Sequence, residues 1–313
     1  MIYPFRRVFG ALKASFVNEG LVALHDTHVA AKQRNPAFRG LSALVDFVFP
    51  ISPLLRLAKS LDAHAAERGI HAACVHGLRH LGVSWQTEWP RQGREIILHE
   101  PVLIYGAHGS ILTPVFIAAA IDRSDVRAIA LSYLRRLGPN LVNLFLPIYA
   151  TSSLSLRRAG RQGFLPRLAG WALGKLETPI ERRQAKERNQ ATLIHASAHV
   201  RDGGLVFISP EPRPPVTSWR RGIGVLVSEI MRSGAERPPY LVPYRIHNAS
   251  ITGAFQIVSR NPLLRALGRH HYRTPARVVL GEPIPMADVV AAVGSDPDAI
   301  TAYLEAHYEN RCL

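Results

Sequence analysis

The feature that most constrains this chain is a set of short, wholly apolar runs, each bounded by turn residues. Residues 101–105 (PVLIY) stop at Gly106, and residues 205–208 (LVFI) follow Gly203 and Gly204. Residues 127–132 (RAIALS), 240–246 (YLVPYRI) and 277–280 (RVVL) are further runs of strand type. Short apolar runs of this kind, bounded by turn residues, read as strands. Residues 110–121 between two of them read as a buried helix. Asp296 and Pro297 form an N-cap and first-turn pair for a last helix carrying Ile300, Tyr303, Leu304 and His307. Strands alternating with helices predict an α/β architecture.

Residues 1–85 follow a different pattern and are expected to be helical. Leu54, Leu57, Ala58, Leu61 and Ala65 recur at helical spacing beside Arg56, Lys59 and Asp62. Phe47, Phe49, Ile51 and Leu54 around Pro50 and Pro53 suggest a bent apolar connector. The organisation expected is a helical region over 1–85, with possible membrane-facing character. An α/β domain follows over 86–290, with an insertion near 151–195, and then a C-terminal helix over 291–313. There is no internal repeat and no low-complexity tract.

Charge enters because it narrows the partners. The chain has 38 basic and 23 acidic side chains, a formal net charge of +15. Its 47% hydrophobic content excludes a mostly disordered chain. Only Lys13, Lys32, Lys59, Lys175 and Lys186 are lysines; the rest of the basic charge is arginine, which grips phosphate with a planar fork. More than half of the excess lies in the middle third. No acid occurs between Asp125 and Glu177, a stretch with Arg127, Arg135, Arg136, Arg157, Arg158, Arg161, Arg167 and Lys175. Phe145, Phe164 and Trp171 share it. That mixture reads as a membrane-surface element more than a nucleic-acid patch, and no zinc-finger or RNP-type motif is present.

Cys74 and Cys312 form neither a disulfide framework nor a zinc set, so a reducing compartment is expected. Arg6, Arg7 and Lys13 break any signal-peptide core. Residues 41–53 are too short to span a membrane and contain Asp46, while 137–156 contain Gly138, Pro139, Asn140, Asn143 and Pro147. A soluble or peripheral chain is expected.

Four segments carry the candidate chemistry. The first is residues 106–114 (GAHGSILTP), where His108 directly follows an apolar strand, the usual ligand position of α/β proteins. Ser110 is placed to cap the next helix and aim backbone N–H groups at an anion. The second is residues 207–213 (FISPEPR) followed by Trp219, Arg220, Arg221 and Gly222. There Glu211 lies beside Arg213, Arg220 and Arg221, a set suited to a hydroxylated, phosphate-bearing substrate. The third is Pro239 and Pro243 around a strand, and the fourth is residues 281–284 (GEPI). Either of the last two alone fits plain edge-strand packing.

In order and spacing these segments resemble the glycerolipid acyltransferases, the PlsC-like lysophospholipid acyltransferase family, over roughly residues 98–290. His108 and Ser110 match the family's His-x4-Asp block. Pro210 and Glu211 match its Pro-Glu-Gly-Thr-Arg block, with Trp219, Arg220 and Gly222 as the tail. Pro239 and Pro243 match its Pro-x-x-x-Pro strand, and residues 281–284 its Gly-Glu-Pro-Ile. There are departures. Thr113 stands where the family has aspartate, Pro212 follows the glutamate, and the arginine is shifted to Arg213. Residues 144–151 (LFLPIYAT), where the family ends a strand in a phosphate-binding arginine, contain none.

The resemblance implies a mixed central sheet flanked by helices, with an N-terminal helical region. It implies transfer of a fatty acyl group from an acyl thioester to a lipid or lysolipid hydroxyl. His108 takes the base role, with Thr113 or Glu211 in the orienting role. Ser110, Arg213, Arg220, Arg221 and Gly222 are the expected substrate- or phosphate-binding residues. The implied co-substrate is acyl-CoA or acyl carrier protein, with no cofactor and no metal. The implied partners are the acyl donor, the lipid acceptor and an anionic membrane surface, with no nucleic acid. The expected location is the inner face of a membrane, on its cytoplasmic side. In the family logic histidine deprotonates the acceptor hydroxyl and a carboxylate orients the imidazole. Threonine can hydrogen-bond an imidazole but supplies no charge. Losing the orienting carboxylate from a comparable triad costs about 10⁴ in rate. A lipid-binding protein without catalysis is therefore the alternative.

The missing arginine in 144–151 leaves an aminolipid, a glycolipid or another alcohol open as acceptor. In the insertion, Leu165, Leu168, Ala172 and Leu176, with Phe164 and Trp171, form a stripe that can lie on a membrane, Lys175 snorkelling. An α/β-hydrolase is disfavoured because no Gly-x-Ser-x-Gly elbow occurs. His270 and His271, and the set His71, His76 and His80, are read as non-metal histidines.

Overall fold

The computed structural model describes residues 2–48, 50–107, 110, 112–149, 180–210 and 218–311. The chain divides into two compact units. One comprises Met1–Ser84, Tyr133–Asn143 and Ser250–Pro275; the other comprises Trp85–Ser132, Leu144–Ala249 and Ala276–Leu313.

The first unit is helical. Its leading helices are α1 (Ile2–Glu19), α2 (Leu21–Arg34), α3 (Pro36–Val48) and α4 (Ile51–His80). α4 is interrupted at Gly69, whose φ of 83° is non-helical. Asp62, expected on the polar side of this helix, is instead buried. Its carboxylate accepts from the Asn140 and Leu141 backbone N–H groups at 2.8 and 3.0 Å and from Asn140 Nδ2 at 2.8 Å. Those three bonds make burial tolerable and tie residues 140–141 to α4. Asp46 is also fully buried; its Oδ1 accepts from Ser52 N at 2.8 Å, and Lys32 Nζ lies 3.8 Å from its Oδ2.

The second unit is α/β. Its helices are the short α5 (Arg94–His99) and α6 (Thr113–Ala120), then α7 (Arg182–Arg201), α8 (Gly222–Ser233), α11 (Met286–Val293) and α12 (Pro297–Arg311). In chain order α9 (Ile251–Ile257) and α10 (Pro262–His271) come between α8 and α11, and they belong to the helical unit. α12 starts as the sequence predicts: Asp296 Oδ2 accepts from Asp298 N and Ala299 N.

Eight strands build one sheet: β1 (Trp85–Glu88), β2 (Val102–Tyr105), β3 (Val126–Leu131), β4 (Phe145–Ile148), β5 (Leu205–Ile208), β6 (Tyr240–His247), β7 (Ala276–Leu280) and β8 (Ile284–Pro285). The order is β1-β7-β6-β2-β5-β3-β4, with β8 paired to β6. β2 runs parallel to both neighbours, Tyr105 standing opposite Ile208 of β5 and Pro243 of β6. β7 and β8 pair with β6 antiparallel, so the sheet is mixed. All four β2 side chains are fully buried, which is why the sequence there lacks alternation. One core layer joins Leu103, Tyr105, Val206 and Leu241 to Ile223 and Leu226 of α8 and to Ile300 and Leu304 of α12.

The starts of three strands are tied by one buried cation. Arg123, only 8% exposed, forks onto Asp125 with Nε–Oδ1 at 2.8 Å and Nη2–Oδ2 at 2.6 Å. Its remaining donors reach the carbonyls of Ile97, Glu100 and Gly203 at 3.1, 2.6 and 2.7 Å. Glu100 precedes β2, Gly203 precedes β5 and Asp125 precedes β3. Burial pushes the Asp125 carboxyl up, but the Arg123 hydrogen bonds and charge outweigh it and hold the group below its ordinary value. Arg123→Met strands a carboxylate and three carbonyls together. It should lower unfolding free energy by about 3–5 kcal/mol, measured by urea titration of the full chain. A loss under about 1 kcal/mol, the range of an exposed pair, would show that the strand starts are held by something else.

Candidate functional site

Two of the four sequence segments leave the sheet side by side. β2 and β5 are parallel neighbours, so Gly106 and Ser209 emerge at the same edge of the sheet. The Tyr244 hydroxyl of β6 joins them. It lies 2.9 Å from the Ala107 carbonyl and 2.7 Å from Ser209 Oγ. A carbonyl only accepts, so in this pair of bonds Tyr244 donates to Ala107 and Ser209 donates to Tyr244. The Tyr244 ring is buried and packs on Phe207, centroids 5.2 Å apart. Gly106 is required by the same approach, because a methyl group there would overlap the Tyr244 carbonyl oxygen.

His108, Glu211 and Arg213 lie outside the described residues. Ser110 and Thr113 are described and are brought together. Thr113 Oγ1 accepts from Ser110 N at 3.1 Å, Ser110 Oγ accepts from Leu112 N at 3.2 Å, and Thr113 N donates to the Ser110 carbonyl at 3.0 Å. These bonds form a tight turn just before α6; the N-cap residue of α6 is Leu112, without a side-chain cap, so Ser110 shapes the turn and does not cap the helix as the sequence suggests. Thr113 is 1% exposed, and its oxygen serves the turn.

Beyond β5 the chain returns to its own start, since Arg220 N donates to the Pro210 carbonyl at 3.1 Å. Trp219 fixes the return. Its backbone N–H donates to Glu305 Oε1 at 3.1 Å, and its ring lies edge-on to Tyr105 and tilted against Tyr308. Arg220 is exposed. Arg221 is exposed and pairs with Asp298 at 3.2 Å. Gly222 opens α8 with free space where a side chain would stand.

The other two segments brace the sheet. Gly281 N donates to the Pro243 carbonyl at 2.8 Å, and Glu282 Oε1 accepts from Arg91 N at 2.9 Å. Met286 N donates to the Pro239 carbonyl at 2.9 Å. A side chain at Gly281 would press on the Pro243 ring. These residues hold β6, and thereby Tyr244, in place.

The sequence reading missed two groups at the strand ends. One is Tyr244, which no spacing rule marks. The other is Arg188 of α7, whose guanidinium stands 5.1 Å from the centroid of the Tyr149 ring just past β4. Asn189 pins that position, accepting from Tyr149 N at 2.7 Å and donating to its carbonyl at 3.1 Å. Within the basic middle stretch, Arg127 is half-buried, and burial lowers its pKa. Residues 150–179, including Arg157, Arg158, Arg161, Arg167, Lys175 and the stripe around Leu165 to Leu176, lie outside the described residues. Among the described residues no cluster of three or more His, Cys, Asp or Glu side chains suits a metal ion. His64 and His76 stack at 3.7 Å and His80 lies 6.1 Å from His76.

No family model matches the chain, and no curated protein matches it. Among solved structures, the 1-acyl-sn-glycerophosphate (LPA) acyltransferase PlsC from Thermotoga maritima is similar at 13% identity and a TM-score of 0.39, over 87% of this chain and 90% of that chain.

Tyr244→Phe removes the hydroxyl between the Ala107 carbonyl and Ser209. Leaving those groups without it should cost about 1–3 kcal/mol of stability, read by denaturant unfolding. Unchanged stability would mean that the bridge contributes nothing to holding the strand ends.

Proposed function

We propose that this chain is an acyltransferase that moves a fatty acyl group from an acyl thioester to a lipid or lysolipid hydroxyl at a membrane surface. The observation that carries the reading is that Gly106 and Ala107 after β2 and Ser209 after β5 lie side by side at one edge of the sheet. These segments are a hundred residues apart, yet they leave two adjacent parallel strands and are bridged by Tyr244. In this reading His108 takes the proton from the acceptor hydroxyl. The oxygen attacks the thioester carbonyl, the C–O bond forms, the C–S bond breaks, and the thiol leaves with the proton. In this reading Arg220 and Arg221, with Arg213 from the same segment of the sequence, supply the cations for phosphate on the donor or acceptor.

Membrane-surface action is supported by exposed apolar side chains of the helical unit. Leu44 is 67% exposed, and Phe9 and Phe47 are about half exposed. α10 is a basic amphipathic helix in the same unit. It exposes Leu263 and Leu267 and carries Arg265, Arg269, His270 and His271. Among the described residues no single helix is long and apolar enough to cross a membrane. A coenzyme A or carrier-protein donor fits the cytoplasmic side of the inner face.

Thr113 favours a second reading, a lipid-binding protein of impaired catalysis. It stands where the resemblance implies a carboxylate, and its Oγ1 accepts from Ser110 N. Both readings are tested on purified protein by acyl-thioester consumption in the presence of lysolipid. Acyl transfer predicts turnover that falls at least about 10³-fold in His108→Ala. It also predicts a gain in Thr113→Asp, where the new carboxylate can still accept from Ser110 N–H. Turnover unaffected by His108→Ala contradicts the base assignment. No turnover in either the wild type or Thr113→Asp supports the lipid-binding reading.

A further inference from the structure

A concavity of about 260 Å³ lies wholly within the helical unit. Its wall carries Lys32, Arg39, Arg56 and Arg260 together with His25 and His28, and it has no carboxylate. The cations come from α2, α3, α4 and the residues before α10, so the tertiary fold gathers them. Arg39, Arg56 and Arg260 are exposed, so water screens their mutual repulsion while leaving their guanidinium groups open to an anion. Many other arginines of this chain are paired with acids, as Arg123 is with Asp125, Arg221 with Asp298, Arg232 with Glu229 and Arg277 with Glu88. Arg39, Arg56 and Arg260 have no side-chain partner among the described residues.

The floor is held in place. Lys32 Nζ donates to Ser52 Oγ at 3.2 Å and lies 3.8 Å from the buried Asp46, which also receives Ser52 N–H. Asp46 is not in the wall, and Asp26 is engaged by Lys59 at 2.6 Å and by His25 at 2.9 Å. His28 is buried with Nε2 3.1 Å from Ser42 Oγ. Burial, with Lys32 adding to it, lowers its pKa, so it stands as a neutral hydrogen-bonding group near pH 7.

We infer that this concavity binds a phosphate group, gripped by Arg39, Arg56 and Arg260 above Lys32. Several guanidinium forks around one ammonium suit the oxygens of a phosphate better than a lone carboxylate. The phosphate can belong to a lipid headgroup or to a soluble ester. The exposed Val29 in the wall and the exposed Ile51 beside Ser52 put apolar surface next to the charge, as a headgroup site would have. The inference goes beyond acyl transfer and does not depend on it, because it is read by binding and not by turnover.

The test uses the full chain. Inorganic phosphate is titrated by calorimetry. Pelleting is measured with phosphatidylcholine vesicles carrying phosphatidic acid, or oleate at matched surface charge. Arg39→Gln/Arg56→Gln/Arg260→Gln is compared with Arg34→Gln/Arg68→Gln/Arg79→Gln, which removes the same charge from exposed positions of the same unit outside the wall. Melting curves establish that both variants fold. The site predicts binding to phosphate, to phosphatidic acid vesicles or to both, weakened at least about tenfold in the first variant and little in the second. Dependence in the calorimetric arm alone identifies a soluble phosphate; dependence in the vesicle arm, with a preference for phosphatidic acid over oleate, identifies a headgroup. Equal losses in the two variants, no loss in either, or no binding in any arm would overturn it, as would oleate vesicles bound as well as phosphatidic acid vesicles when phosphate itself does not bind.

Discussion

The α/β unit depends on the fork between Arg123 and Asp125. A guanidinium this buried is tolerable only when its donors are satisfied, and here they reach one carboxylate and three carbonyls. Because those groups precede β2, β3 and β5, satisfying the cation also sets where these strands begin. Parallel strands of four to six residues that start together end together. The loops that follow β2 and β5 are thereby delivered to one edge, where Tyr244 links the Ala107 carbonyl to Ser209. An electrostatic constraint at one end of the sheet thus becomes a positional constraint at the other.

Much of this was legible in the sequence, for a physical reason. A strand buried on both faces has to be apolar throughout, so residues 101–105 and 205–208 announced β2 and β5 without any partner being known. The start of α12 at Asp296 was legible too, because capping is local chemistry, whereas Ser110 shapes the turn before α6 and Leu112 takes the cap position. The bridging role of Tyr244 was not, since it depends on β6 lying beside β2, a pairing across well over a hundred residues. Asp62 misled for the opposite reason. Helical spacing places it with Lys59, but its burial is decided by residues 140–141, which no local pattern connects to α4. The same holds for β1, a four-residue strand whose parallel partner, β7, lies far along the chain.

Thr113 shows how a motif position and a structural position can differ. In the proposed acyl-transfer reading, this is the position where a carboxylate would orient the base. Read in the fold, it is a buried acceptor that completes the turn into α6. An aspartate could fill both roles at once, accepting from Ser110 N–H with one oxygen and leaving the other for an imidazole. The threonine fills the first role without charge. The net charge of +15 also separates into parts: some arginines are spent on fixed carboxylates, while Arg39, Arg56 and Arg260 gather in the helical unit without partners among the described residues.

The central claim is that the edge formed by β2 and β5 carries out acyl transfer, and product identity tests it most directly. Purified chain would be incubated with an acyl thioester and a lysolipid, and the lipids analysed by mass spectrometry. The account predicts a new lipid heavier than the acceptor by one acyl group less water, accumulating in step with free thiol. Thiol released with only free fatty acid formed would contradict it, because that outcome is hydrolysis and leaves no role for a lipid acceptor.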